Sequence, residues 1–154
     1  ASRWRFLKVY SEFTSYHSVC FLKEVIKRFP YKIQAIKTDN GQIFTNYYLG
    51  TTKRSDLTVK TINALDLFCR EKNIIHYLID PGKPAQNGTV ERSHREDQEK
   101  FYNRNRCKTF KELQIKLKKW NIYYNNLEHC GLNGKTPNEF LKNYQLIKPP
   151  NVCT

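Results

Sequence analysis

The chain has 154 residues, 39% of them hydrophobic and 27% charged, with 6 Gly and 6 Pro; that allows one domain with a packed core, falls short of two, and excludes a disordered or fibrous chain. Lys and Arg number 27 against 14 Asp and Glu, a formal charge of +13, which a small domain carries most easily when its partner is a polyanion, solubility being the ordinary alternative. No run of about 18 apolar residues occurs, so no membrane-spanning helix is expected, and no signal peptide is visible.

Residues 4–10 alternate, with Trp4, Phe6, Lys8 and Tyr10 against Arg5, Leu7 and Val9, and their aromatic and branched content predicts a strand. Residues 18–29 predict a helix, because Val19, Leu22, Val25 and Ile26 share a face and Pro30 ends it. A short strand over 32–37 stops at the turn formers Thr38-Asp39-Asn40-Gly41. Residues 47–55 are polar and predict a loop. Residues 57–72 predict a helix that buries Val59, Ile62, Leu65 and Phe68. The apolar run 74–79 suits a buried strand, and residues 80–88 read as a loop. Thr89 is placed to cap a helix reaching Asn103, with Glu91 in its first turn. Further helices are expected over 110–124 and after Pro137, the latter capped by Thr136. This order gives an α/β domain in which helices cover a sheet.

Five cysteines (Cys20, Cys69, Cys107, Cys130 and Cys153) form no Cys-x-x-Cys pair, which is the pattern of reduced thiols in a cytoplasmic protein. His17 with Cys20, and His129 with Cys130, lack the second ligand pair a structural zinc needs.

Two acids stand where catalytic carboxylates usually stand. Asp39 closes a short strand and Glu91 begins a helix after a glycine-containing loop, positions at the rim of a sheet where α/β folds bind ligands. Each has a plainer explanation, Asp39 as a turn former and Glu91 as a carboxylate matched to the helix dipole. As oxygen ligands both suit Mg2+ or Mn2+.

The string Ile36-Lys37-Thr38-Asp39-Asn40-Gly41, followed by Phe44 and Thr45, resembles the second-aspartate motif of retroviral-type integrases and bacterial insertion-sequence transposases. The string from Pro81-Gly82-Lys83-Pro84 through Ala85-Gln86-Asn87-Gly88 to Thr89-Val90-Glu91-Arg92-Ser93-His94 resembles their third-acid motif. Tyr123-Tyr124-Asn125-Asn126, then His129, Leu132, Thr136-Pro137 and Glu139, resemble the tail after the core. The resemblance runs through essentially the whole chain in the family's order.

It implies an RNase H-like α/β fold, a mixed sheet flanked by helices, with residues 1–126 as the catalytic core and 127–154 as its tail with a short helix. It also implies a DDE transposase or integrase that binds Mg2+ or Mn2+ through an Asp-Asp-Glu triad, with Asp39 and Glu91 as the second and third ligands. Water would hydrolyse the element's DNA end, and the freed 3′ hydroxyl would attack target DNA in line, with no Ser, Tyr or Cys nucleophile. Asn40 and Gly41 would set the turn that aims Asp39, while Gly82, Asn87 and Gly88 would let the loop flex around the DNA end. Lys83, Asn87, Arg92, Arg95 and Lys100 would contact DNA, although Arg95, four residues from Glu91, could pair with it instead. Lys111, Lys116, Lys118 and Lys119, interleaved with Leu113, Leu117, Trp120 and Tyr124, read as the solvated side of an amphipathic helix. The implied partners are DNA ends and target DNA, with a homo-oligomer at full length, no membrane, and a cytoplasmic, nucleoid-associated location in a bacterium.

Three departures from the family's pattern accompany the resemblance. Ala1-Ser2-Arg3-Trp4 matches the turn after the family's second strand. The first two strands and the first metal ligand are therefore expected to be missing, leaving this chain inactive by itself and poorly stable. The spacing from Asp39 to Glu91 is longer than in the retroviral relatives, and the polar residues 47–55 are the natural extra loop. Leu127-Glu128-His129 stands where the family has Arg-Pro-His. The rival functions are a non-catalytic DNA-binding remnant of a decayed mobile element and a ribonuclease H-type nuclease on the same fold, which the two acid motifs disfavour.

Overall fold

A computed structural model describes residues 2–46 and 62–147; the expected loop over 47–55 and the Val59 turn of the expected helix lie outside them. The chain divides into two compact units, Tyr10–Arg104 and Ala1–Val9 with Asn105–Thr154.

In the Tyr10–Arg104 unit, helix α1 spans Ser15–Arg28. It begins three residues before the expected start at Ser18, because the Thr14 hydroxyl accepts from the His17 N–H at 3.3 Å and supplies a cap. Strand β1 covers Ala35–Thr38, helix α2 Ala64–Glu71 and strand β2 Ile75–Leu78. The strands pair in parallel, Ala35 opposite Ile75 through Thr38 opposite Leu78, with α2 in the crossover between them, as parallel pairing requires. Leu22, Leu65, Phe68, Cys69 and Ile74 form the core of this unit, with Val19, Ile33, Ile36 and Phe44 packed against it.

Four expectations are corrected here. Strand β2 is not buried on both sides, since Ile75 and Tyr77 are 55% and 54% exposed. Among the described residues the sheet has two strands, and cover reaches only alternate residues, the row holding Ile36, Thr38, His76 and Leu78. Ile62 is exposed rather than buried, because Asn63 caps α2 by accepting from the Leu65 N–H at 2.9 Å, which leaves Ile62 outside the helical face. After β2 a single 3-10 turn, Pro84–Asn87, runs directly into α3, Gly88–Lys100. Thr89 therefore lies inside α3 rather than capping it, and the helix ends before Asn103, which falls in a further 3-10 turn, Tyr102–Arg104.

In the second unit, α4 spans Phe110–Asn125, capped by Thr109, and α5 spans Pro137–Ile147. The start of α5 is a reciprocal box: the Glu139 N–H donates to Thr136 Oγ1 at 3.2 Å and the Thr136 N–H donates to Glu139 Oε2 at 2.9 Å. The Thr136 N–H, with the Thr136 hydroxyl adding to it, holds the Glu139 carboxyl below its ordinary pKa. The expected strand over residues 4–10 does not form. The Arg5 and Leu7 peptide groups are bonded by two side chains of α4 instead. Asn125 accepts from the Arg5 N–H at 2.9 Å and donates to its carbonyl at 2.7 Å. Asn121 does the same for Leu7 at 2.8 and 2.7 Å. Asparagines four apart share a helix face, and each presents one donor and one acceptor in the place of a neighbouring strand. The Arg5 guanidinium lies over the Tyr124 ring, 3.6 Å from its centroid.

Candidate functional site

Asp39 is the first residue after β1 and is exposed. Its Oδ1 accepts from the Gly41 N–H at 2.9 Å, the local turn an aspartate favours. A Cβ at position 41 would sit 2.9 Å from that same oxygen, so the carboxylate can curl this closely only over a glycine. Asn40 ties the turn to the end of β2, its Nδ2 donating to the Ile79 carbonyl at 3.0 Å.

The residues before α3 form a braced loop. Gln86 closes it, accepting from the Asp80 N–H at 3.1 Å and donating to Asp80 Oδ2 at 2.8 Å. Gly82 has φ +75°, a conformation glycine adopts without strain. Lys37 of β1 donates to the Gln86 carbonyl at 3.1 Å, so the loop is fastened to the strand that leads into Asp39. Gly88 is helical, with φ −56° and ψ −28°. Asn87 ends the 3-10 turn, and its side chain lies outside the described residues.

A cavity of about 480 Å³ opens within this unit, lined by Asp39 and Thr38 from the end of β1, Phe21 and Leu22 from α1, and Val90 and His94 from α3. Val90 and His94 are four apart and share a helix face. Glu91, between them in sequence, is exposed and is not among the lining residues. The structure thus sets Asp39 and the first two turns of α3 around one cavity, with Glu91 beside the lining face. Two exposed carboxylates suit the oxygen preference of Mg2+, which is commonly held by one or two carboxylates together with water and phosphate. Among the described residues no group of three His, Cys, Asp or Glu side chains could hold a metal ion.

Of the expected DNA contacts, Lys83 pairs with Asp80 at 3.3 Å and Lys100 with Glu96 at 2.7 Å. Arg92 and Arg95 are exposed, and neither has an ion-pair partner among the described residues, so the alternative Glu91–Arg95 pair does not form. Burial pushes the Cys69 thiol up, with the Asp66 carboxylate adding to the effect, the opposite of what a nucleophilic cysteine needs.

One constellation escaped the sequence reading. His76, on the covered row of β2, has a side chain only 6% exposed. Its Nδ1 lies 2.6 Å from Asp66 Oδ1 of α2, and its Nε2 lies 2.8 Å from Thr38 Oγ1. The Thr38 hydroxyl in turn lies 2.9 Å from the Asp39 carbonyl and donates to it. The available signal was a single histidine inside the apolar run 74–79, where a buried ring needs polar partners.

Residues 72–137 match the family model of the integrase core domain. No curated protein sequence matches the chain. Among solved structures, the catalytic core domain of BIV integrase is similar with a TM-score of 0.61 and 21% identity, over 90% of this chain and 78% of that one. A chain of the simian T-cell lymphotropic virus intasome in complex with the PP2A regulatory subunit B56 gamma is similar with a TM-score of 0.54 and 21% identity. That likeness covers 94% of this chain and 44% of that one. The fold is accordingly the RNase H-like fold of retroviral integrase cores, with two strands present among the described residues. No helix among those residues is long and apolar enough to cross a membrane.

Proposed function

We propose, from the premise that the fold and the match over residues 72–137 support an integrase/transposase catalytic core, that this protein acts in DNA transposition or integration as a polynucleotidyl transferase. It would cut element ends and join them to target DNA, with residues 1–126 as the core, 127–154 as its tail, and a homo-oligomer as the working form. The observation that carries this reading is the shared cavity, flanked by Asp39 at the end of β1 and by the first two turns of α3.

Asp39 and Glu91 would hold Mg2+ or Mn2+, which when bound neutralises phosphate charge and activates the attacking oxygen. The Gly41 N–H occupies Asp39 Oδ1, so Oδ2 would be the ligand atom. Arg92 and Arg95, charged and without described partners, would take DNA phosphates. Lys83 and Lys100 must first leave Asp80 and Glu96, so they contribute less. Arg92→Ala and Arg95→Ala are each expected to lower the salt slope of DNA binding by about 1 without changing sequence preference, whereas Lys100→Ala lowers it by less. Binding isotherms at several salt concentrations check this.

The metal site is tested by Mn2+ titration followed by NMR. Amide signals of residues 39–41 and of residues 91–92 should broaden at the same Mn2+ concentration. Asp39→Asn or Glu91→Gln should each abolish both responses. If the two segments respond independently, or if Glu91→Gln leaves residues 39–41 unaffected, the two acids do not share an ion and the proposal fails.

A further inference from the structure

The aspartate turn is braced from its own side by Gly41 and Asn40, and from the sheet by a partly buried chain of polar groups. Thr38 and His76 sit diagonally on the covered face of the parallel pair, since His76 is opposite Ile36 and Thr38 opposite Leu78. The chain runs from Asp66 on α2, through the His76 ring on β2, to the Thr38 hydroxyl on β1, and ends on the Asp39 carbonyl. A threonine hydroxyl has one proton. When that proton goes to the Asp39 carbonyl, the contact with His76 must be an Nε2–H donation to Thr38 Oγ1. The ring's Nδ1 faces Asp66 Oδ1 at 2.6 Å, so both ring nitrogens are engaged. The His76 ring, with its side chain 6% exposed, depends on Asp66 and Thr38 for its partners, as a polar group shielded from water must.

We infer that His76 is a positioning residue for Asp39: held by Asp66 and acting through Thr38, it fixes the peptide on which the Asp39 carboxylate is mounted. The inference rests on the metal-site reading above. The Asp39 carboxylate itself is exposed and touches none of this chain, so the brace works through the backbone. Without it the Asp39–Asn40 peptide loses the bond to its carbonyl, and the carboxylate samples orientations in which it cannot share an ion with α3. Groups that orient ligating carboxylates from behind typically contribute about 10- to 100-fold to metal affinity; acting through one peptide, this chain belongs at the lower end.

The test uses the whole chain with MnCl2 as the probe. It reads the Mn2+ concentration at half-broadening of the residue 39–41 amides and, with no metal present, the hydrogen exchange of the Gly41 N–H. Thr38→Val keeps the shape of the side chain and removes the hydroxyl. It is expected to weaken Mn2+ binding roughly tenfold and to speed Gly41 exchange. Thr38→Ser should restore both, because it keeps the hydroxyl. His76→Phe should reproduce Thr38→Val, and the double variant should be no worse than His76→Phe alone, since both break one chain. Should His76→Phe fail to fold, the Thr38 pair carries the test unaided. Wild-type Mn2+ affinity in Thr38→Val, or no recovery in Thr38→Ser, overturns the inference. Asp39→Asn separates the two levels. If it abolishes Mn2+ binding while Thr38→Val does not weaken it, only the brace is wrong; if Asp39→Asn binds Mn2+ normally, the metal-site reading falls and takes the brace with it.

Discussion

Asn125→Ala is expected to destabilise the unit formed by Ala1–Val9 and Asn105–Thr154 by about 3 kcal/mol, and to open the Arg5 amide to solvent exchange. Asn125 is buried, and it accepts from the Arg5 N–H while donating to the carbonyls of Arg5 and Asn121. Removing the side chain strands both polar groups of the Arg5 peptide, at about 1–3 kcal/mol each where water cannot replace the partner. The segment is partly buried, so water recovers some of this, and the better helix propensity of alanine returns roughly 0.5 kcal/mol. Asn121→Ala should act the same way on Leu7, with a smaller effect because Asn121 makes only the two bonds to that peptide. The double variant should fall short of the sum, since both side chains hold one segment. Asn125→Asp is the sharper control. It keeps the shape and the acceptor but turns a second oxygen toward the Arg5 carbonyl, so it should rescue little. Urea unfolding and amide exchange measure these effects, and an Arg5 amide that stays protected in Asn125→Ala would show that the asparagine clamp does not hold the segment.

The same clamp explains what was legible in the sequence and what was not. Alternation over residues 4–10 predicted a strand that does not form, because period two reports two unlike sides and not a strand partner. It could not say who takes the hydrogen bonds, and here the partners are two asparagines more than a hundred residues away. The apolar run 74–79 located β2, but the exposure of Ile75 and Tyr77 depends on how many strands and helices lie beside them, which periodicity does not carry. Thr136 was readable as a cap because its partner Glu139 lies three residues on, a local arrangement. Thr89 was misread because Gly88 and the 3-10 turn before it already follow the helical path. The Asp39–Gly41 turn was legible for the reason Thr136 was: its bond spans two residues. Asp66, His76 and Thr38 belong to three different elements, and the parallel register of β1 and β2 together with the packing of α2 brings them together.

Offered a labelled duplex end and Mg2+, these 154 residues are expected to bind the DNA and leave it uncut. Binding follows from the formal charge of +13 and from Arg92 and Arg95, whose charges are not neutralised by described neighbours. Cleavage is another matter, because Glu12, His17 and His94 line the cavity with Asp39, yet among the described residues no three His, Cys, Asp or Glu side chains are grouped so that they could hold a metal ion. An ion held by an incomplete set contributes less of the several kcal/mol that metal catalysis supplies, and a shortfall of about 4 kcal/mol slows the step roughly a thousandfold. Denaturing gels of end-labelled DNA, run over hours with Mg2+ and again with Mn2+, read the outcome. Cutting that disappears in Asp39→Asn would mean that two acids suffice and that this expectation is wrong. Cuts accompanied by strands joined to a second duplex would mark a transferase, and cuts without joined product would mark a nuclease on the same fold. Salt-sensitive binding with no cutting, in a chain whose Asp39 and Glu91 fail to share Mn2+, would leave the DNA-binding remnant as the better description.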